Sequence, residues 1–384
     1  MITRDIAYIG VDDTDLDLFE SQYIIPNGIS YNSYLIKDEK IAIMDTADNR
    51  KIDEWLGNLR TALDGCTPDY LVVQHMEPDH AGCIAEILEE YPAIKIVASA
   101  RAIQMMPQFF EGKDFSQNAI AVKEGDTLSL GEHTLQFFMA PMVHWPEVMV
   151  TYDKKDKVVF SADGFGKFGA LSHEEDWACE ARRYYFNICG KYGGPVQALL
   201  KKLATLDVEC ICPLHGPILK ENLGYYIGLY DAWSKYDVET EGVFIAYASI
   251  HGGTAAVANV MAEILREKGA KKVSVADLSR DDMAEAIEDA FRMDKMIVAA
   301  ASYDGGVFPV MHDFLHHLQI KAYQKRRVGI IENGSWAPCA GRVMRGMLEQ
   351  MKDVEIVEPM VTILSRMKQS DRAALEALAD AILK

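Results

Sequence analysis

Paired cysteine motifs, positive charge and long apolar runs are all scarce in this sequence. The seven cysteines are scattered and odd in number, so we read them as free thiols of a reducing compartment. The chain has no pair of CxxC motifs, which excludes a four-cysteine iron site on it. Cys210 and Cys212 occupy alternate positions of an apolar run, and we predict that both are core residues.

The charge balance and the hydropathy exclude two classes of partner. Lys and Arg number 39 against 58 Asp and Glu, a net charge of −19, whereas nucleic-acid binding needs a basic surface that neutralises phosphates. No stretch approaches the roughly 20 apolar residues that span a bilayer. The first residues lack a basic segment followed by an apolar one, so we expect no secretory signal and a cytoplasmic protein.

The chain of 384 residues suits two domains rather than one core. Up to about residue 240, short apolar runs alternate only loosely with polar residues, which is typical of sheets buried against other layers. The run SYLIKDEKIAIMD predicts a hairpin. Further strands are predicted in LVVQH, IKIVAS, LQFFMA, KVVFSAD and ECICPLH.

From Val243 onward, compact apolar strands alternate regularly with helical segments. Stretches such as AAVANVMAEILREKG carry apolar residues at three- and four-residue spacing, which predicts amphipathic helices. Repeated β-α units of this kind predict a doubly wound parallel sheet. The polar connector after GYYIGLYDAWSK places the boundary between a domain of residues 1–240 and one of residues 241–384. The strands are predicted in VFIAYAS, VSVADLS, KMIVAAAS, VGIIEN and VEIVEP.

The sharpest motif, His75-Met-Glu77-Pro-Asp79-His80, directly follows the apolar strand LVVQ. Imidazoles and carboxylates at this spacing can face two neighbouring metals, the first two side chains at one and the last two at the other. The structural alternative is a solvated loop in which Asp79 caps the following helix. The metal interpretation gains weight because three further candidates also follow predicted strands, namely His144, Asp163 and His215.

These residues resemble the ligands of the metallo-β-lactamase fold, which binds two metals in this way. The hydrolase motif reads His-x-His-x-Asp-His, whereas this chain has Glu77 at the third position. A carboxylate there makes the site harder and favours iron over zinc, and it is what the flavodiiron family carries. The resemblance implies one iron at His75, Glu77 and His144, a second at Asp79, His80 and His215, and Asp163 as the bridge. In some family members the equivalent of His80 is not a ligand.

One tempting motif follows the same strand as Asp163. The segment Gly164-Phe-Gly166-Lys-Phe-Gly169 satisfies GxGxxG. A dinucleotide-binding unit also requires a helix, a second strand and an acidic residue in fixed order, and these do not follow. We interpret the glycines as tight turns beside the metal site.

Three loops in the second half carry polar and glycine residues directly after predicted strands. Backbone N–H groups and hydroxyls at a helix start suit a phosphate monoester, and the absence of GKS or GKT argues against a P-loop. Strand ends of a doubly wound sheet meet at the edge where FMN binds. The aromatic residues can flank an isoalloxazine ring or simply pack. The loops are Ser249-Ile250-His251-Gly252-Gly253-Thr254, Ser302-Tyr303-Asp304-Gly305-Gly306 and Asn333-Gly334-Ser335-Trp336-Ala337.

This half resembles flavodoxin, in the version that is fused to diiron domains, so the resemblance covers nearly the whole chain. It implies an α/β protein with an N-terminal metallo-β-lactamase-like αββα sandwich and a C-terminal flavodoxin-like doubly wound parallel sheet. It also implies FMN and two iron ions as cofactors, and the reduction of dioxygen to water, of nitric oxide to nitrous oxide, or of both. Tyr184 and Tyr185 line the substrate pocket by analogy with a tyrosine of relatives, or pack in the core.

The resemblance implies protein partners as well. In relatives, a head-to-tail homodimer, alone or as a dimer of dimers, places the flavin of one chain against the irons of the other. The expected electron donor is a rubredoxin-like protein or a reduced deazaflavin. The alternatives are a zinc hydrolase tethered to a flavodoxin, which Glu77 disfavours, and an electron carrier whose first domain is only structural. The preference between the two gases stays open because both specificities share the iron ligands.

Overall fold

The computed structural model describes residues 2–384, and these form two compact units. The first unit comprises the chain up to Tyr185 together with Gly194–Asp231, and the second comprises Phe186–Gly193 and Ala232–Lys384. The sequence placed the domain boundary at residue 240. In the structure this residue is the first of a strand, Thr240–Ala248, that belongs to the second unit. The polar connector that suggested a linker is part of that unit, where the indole of Trp233 donates to Glu239.

Two sheets pack face to face in the first unit. One has six strands in the order β1-β6-β7-β8-β9-β10, and the other has five in the order β11-β12-β13-β14-β15. The core between them joins buried side chains of both sheets, such as Val72 and Val97 with Phe137 and Phe160. The strands are β1 (Ile6–Tyr8), β2 (Val11–Asp13), β3 (Leu18–Phe19), β4 (Tyr23–Ile24), β5 (Ile29–Tyr31), β6 (Tyr34–Lys37), β7 (Ile41–Met44), β8 (Tyr70–Val73), β9 (Lys95–Ser99), β10 (Ala119–Val122), β11 (Thr127–Ser129), β12 (Thr134–Met139), β13 (Met149–Asp153), β14 (Val158–Phe160) and β15 (Cys210–Cys212).

Helices of this part of the chain connect the strands, and α4 packs on β9 and β10. The predicted hairpin is confirmed, since β6 and β7 pair antiparallel. Cys210 and Cys212 are both buried in β15, as predicted. Strand β13 was not predicted, because its run MVTYD mixes apolar with polar residues although all five are buried. The helices are α1 (Ile52–Leu63), α2 (Pro78–Ala81), α3 (Ile84–Glu90), α4 (Ala100–Phe109), α5 (Trp177–Tyr184), α6 (Gly193–Leu203) and α7 (Leu223–Ser234).

The second unit is built on a parallel sheet in the order β17-β16-β18-β20-β21, with β22 also paired to β20. The strand order reverses between β16 and β18, the position where doubly wound sheets bind ligands. The predicted last strand, VEIVEP, is confirmed only over β21 (Val354–Ile356), and β22 (Val361–Ile363) was not predicted. The elements are β16 (Thr240–Ala248), α8 (Gly253–Glu267), β17 (Val273–Asp277), α9 (Met283–Arg292), β18 (Met293–Tyr303), β19 (Gly306–Val307), α10 (Pro309–Ile320), β20 (Arg326–Asn333), α11 (Ala340–Leu348), β21 (Val354–Ile356), β22 (Val361–Ile363) and α12 (Arg372–Leu383).

Within residues 2–384, no helix is both long enough and apolar enough to span a membrane.

Candidate metal centre and flavin site

Strand ends of both sheets of the first unit deliver the predicted metal ligands to one place. His75 lies two residues after the last residue of β8, and Glu77 is the N-cap residue of the short helix α2. The side chain of Glu77 makes no hydrogen bond to the backbone of α2, so its carboxylate is not used to cap this helix. Asp79 lies inside α2 and does not cap it. The remaining ligands follow β12, β14 and β15 and are His144, Asp163 and His215.

Four side chains form the first group of candidate ligands, with one atom from each of His75, Glu77, His144 and Asp163 within 4.8 Å of the others. The Nε2 atoms of His75 and His144 lie 3.2 and 3.0 Å from Glu77 Oε2. Both Nε2 atoms lie 3.2 Å from Asp163 Oδ2. Two imidazoles and two carboxylates therefore converge on one point.

The second group consists of Asp79, His80 and His215, and one ligand atom from each of them lies within 4.8 Å of the others. The Nε2 atoms of His80 and His215 lie 3.3 and 3.2 Å from Asp79 Oδ2. The same atoms lie 3.2 and 3.8 Å from Asp163 Oδ1. Asp163 thus presents one carboxylate oxygen to each group, which is the geometry of a bridging ligand.

Hydrogen bonds from outside the two groups orient two of the imidazoles. His75 Nδ1 lies 2.8 Å from Glu147 Oε1, which also accepts from the Met76 amide at 2.9 Å. His215 Nδ1 donates to the Ser30 carbonyl at 2.7 Å. With Nδ1 protonated in each ring, the Nε2 lone pair faces the cluster, as in metal-binding histidines. Glu147 was not predicted, although its position three residues after His144 in the sequence was a usable signal.

The buried ligand atoms lack other partners. Within the described part of the chain, several of them form no hydrogen bond of normal geometry with the protein. Such buried polar atoms are costly unless an ion or water satisfies them. The donor set therefore fits metal cations. These atoms are both carboxylate oxygens of Asp79 and of Asp163, both ring nitrogens of His80, and Nε2 of His215.

Electrostatics in the cluster also favours a cation. Burial disfavours the charged form of Asp163, but the positive charge on His75 and the close imidazoles outweigh it, so the pKa lies well below its ordinary value. Burial raises the pKa of Asp79 to about 7, and the charges on Glu77 and Asp163 contribute. Burial also lowers the pKa of His215, which keeps its ring neutral. Crowded buried carboxylates are stabilised by bound cations.

Aromatic residues and the glycine-rich segment surround this cluster. The ring of Tyr184 lies 5.6 Å from that of His215, and the Phe19 ring lies 5.4 Å from it. The Tyr185 ring packs against Tyr230 at 5.2 Å. Gly166 closes a turn on Asp163, and a Cβ atom there would lie 3.0 Å from the Asp163 carbonyl. The segment is thus a tight turn beside the metal site, and no helix follows it directly.

The second unit holds a cavity of about 690 Å³ at the carboxyl edge of its sheet. Two predicted flavin residues, Gly252 and Gly306, do not line the cavity. Gly252 forms the turn before α8 with φ of 82°, and Gly306 of β19 pairs with Tyr303 of β18. Every other predicted flavin residue lines the cavity, namely Ser249, Ile250, His251, Gly253, Thr254, Ser302, Tyr303, Asp304, Gly305, Asn333, Gly334, Ser335, Trp336 and Ala337.

One end of this cavity is suited to an anion. The N-terminus of α8 opens there, and Ser249 Oγ is buried without a hydrogen-bond partner. Thr254 Oγ1 accepts from Asn333 Nδ2 at 3.3 Å. A Cβ atom on Gly253 would lie 2.4 Å from the Ser365 carbonyl, so only glycine allows this close approach. Helix-terminal amides and free hydroxyls of this kind bind phosphate groups.

Four lining residues were missed from the sequence: Ala301, Cys339, Ser365 and Arg366. Ser365 and Arg366 follow β22 as the predicted loops follow their strands, so the same signal was available. The rim carries aromatic rings, since Trp336 is 92% and Tyr303 45% exposed. Exposed aromatic side chains beside such a cavity can stack on a planar ring.

The chain was then compared with known proteins. A family model described as ODP family beta lactamase matches residues 29–216. An uncharacterised protein of Methanocaldococcus jannaschii is 30% identical over 357 residues, which cover 91% of this chain and 89% of that protein. An Escherichia coli protein named anaerobic nitric oxide reductase flavorubredoxin is 28% identical over 349 residues, covering 88% of this chain and 72% of its own.

Solved structures match the whole chain. The rubredoxin oxygen:oxidoreductase of Desulfovibrio gigas superposes with a TM-score of 0.93 at 27% identity, covering 100% of this chain and 97% of that one. A point variant of the flavo di-iron protein of Thermotoga maritima gives a TM-score of 0.87 at 26% identity, covering 97% and 94%.

The fold, the metal-ligand cluster and these matches define a metallo-β-lactamase-type domain joined to a flavodoxin-like domain, as the sequence predicted. The chain belongs to the flavodiiron protein family. It is therefore an oxidoreductase of a family that works with flavin and iron.

Proposed function

We propose that this protein reduces dioxygen to water, nitric oxide to nitrous oxide, or both, with two irons and FMN as its cofactors. The observation that carries the proposal is the position of Asp163, whose two oxygens each face one group of imidazole and carboxylate ligands. The proteins named as a nitric oxide reductase and a rubredoxin oxygen:oxidoreductase support the choice of reaction.

His75, Glu77 and His144 would hold the first iron, and Asp79, His80 and His215 the second, with Asp163 able to reach both. The unpaired buried atoms of this cluster fit two cations rather than a solvated loop. Three carboxylates among seven ligands form a harder donor set than the imidazole-rich hydrolase site and favour iron over zinc.

When bound, the irons supply open coordination positions and electrons for a small diatomic molecule, and the flavin passes electrons singly. The protein's own residues hold the site in place. Glu147 and the Ser30 carbonyl fix the ring orientation of His75 and His215. Because both contacts fix the ring proton on Nδ1, the two Nε2 atoms stay available as ligands.

Tyr184 is proposed to line the substrate pocket, because its ring contacts His215 while Phe19 and Phe168 pack around it. These side chains are buried and exclude bulk water from one side of the cluster. Water exclusion strengthens every electrostatic interaction within a site. The contact of Tyr185 with Tyr230 favours its packing role over a catalytic one.

FMN, rather than a dinucleotide flavin, is proposed for the second unit. The unpaired Ser249 hydroxyl and the N-terminus of α8 form one phosphate-binding end. The aromatic rings of Tyr303 and Trp336 stand at the rim, where an isoalloxazine ring would stack. A volume of about 690 Å³ is in the range of cavities that bind ligands of this size.

We propose that the working form is a head-to-tail homodimer, alone or as a dimer of dimers, in which each flavin serves the metal site of the other chain. A rubredoxin-like protein or a reduced deazaflavin is the proposed donor. No pair of CxxC motifs for a rubredoxin site lies within these 384 residues.

The proposal is tested with protein reconstituted with iron and FMN and reduced chemically under anaerobic conditions. Consumption of dioxygen and of nitric oxide is followed in parallel with the iron and flavin content of each sample. We expect about two irons per chain and consumption of at least one gas. Asp163→Ala should abolish consumption and leave the FMN content unchanged. Gas consumption that persists in Asp163→Ala, or hydrolase activity with zinc alone, contradicts the proposal.

A further inference from the structure

The first unit contains a cavity of about 180 Å³ whose lining side chains are all apolar. Strands β14 and β15 supply one wall, where Val159 and Ile211 are direct partners in the parallel ladder. Leu203 at the end of α6 and the following Ala204 supply another wall, and Ile227 of α7 closes a third. No polar side chain is among its described lining residues.

One lining residue of this cavity belongs to the turn that carries a member of the metal-ligand cluster. Its lining includes Phe165, which is only two residues from Asp163. The turn between them is tight, because the Gly166 amide donates to the Asp163 carbonyl at 3.0 Å. The two strands of the wall are also those that lead to Asp163 and His215. The cavity thus reaches to within one turn of the proposed bridging carboxylate.

Phe165 is held at this position against a backbone preference. Its φ of 68° is in the left-handed region, which a bulky residue rarely adopts. Its amide donates to the Tyr230 hydroxyl at 2.7 Å, and its carbonyl accepts from the Trp177 indole at 3.3 Å. Its ring stacks on Tyr230 with centroids 4.3 Å apart. Two backbone hydrogen bonds and one ring contact therefore fix Phe165, a lining residue of the cavity, in the turn that follows Asp163.

The outer end of the cavity reaches the protein surface. Ala204 is exposed and Ile227 is 37% exposed, whereas Val159, Phe165 and Ile211 are each 1% exposed. The cavity is therefore a short apolar path from solvent inward. Apolar cavities of roughly 150 Å³ stay dry and bind xenon or benzene, and a water molecule takes about 30 Å³ of liquid. Space of this size accommodates several diatomic molecules.

We propose that this cavity takes up small uncharged diatomic gases, dioxygen or nitric oxide, and delivers them past Phe165 to the metal-ligand cluster. The inference rests on the proposed function, because it assigns an entry route to the substrates of that reaction. Such molecules have little polarity and are favoured in an apolar environment over water, whereas these walls offer water no polar side chain.

The first test is structural and needs no turnover. Crystals of the full-length protein are pressurised with xenon, and the anomalous signal is located. We expect a xenon atom between Leu203 and Phe165. In Ala204→Trp, or in Ile227→Trp on the facing helix, the added indole should remove it, while Lys201→Trp on the exposed side of α6 should retain it. Absence of xenon from the wild-type cavity overturns the inference, whatever the enzyme's activity.

The second test measures gas entry during turnover. In Ala204→Trp, kcat/KM for the gas should fall several-fold, with kcat at saturating gas and the rate of flavin reduction unchanged. Lys201→Trp should match the wild type in all three. An unchanged kcat/KM in a variant that has lost xenon overturns the inference. Failure of the wild type to consume either gas would instead contradict the proposed function, and the xenon result would still decide whether the cavity binds gas.

Discussion

Glu77 places a carboxylate oxygen 3.0 and 3.2 Å from two imidazoles, at a position where the hydrolase motif has a histidine. Because a softer nitrogen ligand suits zinc better, we expect Glu77→His to shift the metal preference toward zinc. The protein is loaded anaerobically with equal iron and zinc, and the bound metals are quantified. Wild-type protein that selects zinc as readily as the variant would refute the role assigned to Glu77.

Glu147 acts on the cluster through His75, so its removal should weaken metal binding without removing a ligand. We expect Glu147→Ala to lower metal affinity about 10- to 100-fold, as loss of outer hydrogen-bond partners typically does. Glu147→Gln keeps an acceptor for His75 and should lose less. Metal affinity is measured by competition with a chelator.

The control for Glu147 is the stability of the metal-free proteins, because the side chain is 1% exposed and its loss also leaves a cavity. Equal affinities for Glu147→Ala and for Glu147→Gln, which keeps both the volume and a hydrogen-bond acceptor, would contradict the positioning role assigned to Glu147.

At the scale of elements, the N-terminus of α8 and the loop before it define the anion-binding end of the flavin cavity. Thr254→Val keeps the shape of a side chain that is 2% exposed but removes its hydroxyl. Loss of one hydrogen bond to a charged phosphate costs about 1.5–3 kcal/mol, so FMN should bind about 10- to 100-fold more weakly. Flavin fluorescence titration measures this change.

Thr240→Val, at the other end of β16, is the matched control and should bind FMN normally. The iron content of both variants should equal that of the wild type. Equal FMN affinity in Thr254→Val and Thr240→Val would mean that the phosphate lies elsewhere in the cavity.

Elements with a clear pattern were predictable, and elements without one were not. The apolar runs that became β8, β9, β14, β16 and β20 were recognised from composition and from their flanking turns. Strand β13 carries Thr151 and Asp153 among its apolar residues, and its run merges with the preceding loop, so neither composition nor periodicity marked it as a strand. The predicted boundary at residue 240 also differs from the end of the first unit, because a polar segment that packs in a folded unit resembles a linker in sequence.

For the whole molecule, the proposed dimer is tested with two defective chains that complement each other. Gly253→Val disables the flavin loop, because any Cβ meets the Ser365 carbonyl, and Asp163→Ala removes the proposed bridge. A verified heterodimer of the two keeps one intact flavin facing one intact metal site. It should recover about half of the normal activity per dimer, since one of two symmetric pairs survives.

Each parent homodimer should be inactive and should retain the cofactor of its unaltered site. Inactive heterodimers with full cofactor content at the unaltered sites would show that electrons pass within one chain, and the head-to-tail arrangement would then be wrong.

The sequence by itself determined the metal ligands as candidates, the three flavin loops and the order of the two domains. It did so because these features are local, since a strand, a following polar loop and the identity of Glu77 can all be read within a few residues. Only the tertiary structure decided that Asp163 divides its oxygens between two groups, that Glu147 and Ser30 orient the imidazoles, and that Phe165 lines an apolar cavity. These depend on side-chain direction and on contacts between residues far apart in the chain, which packing sets and local pattern does not encode.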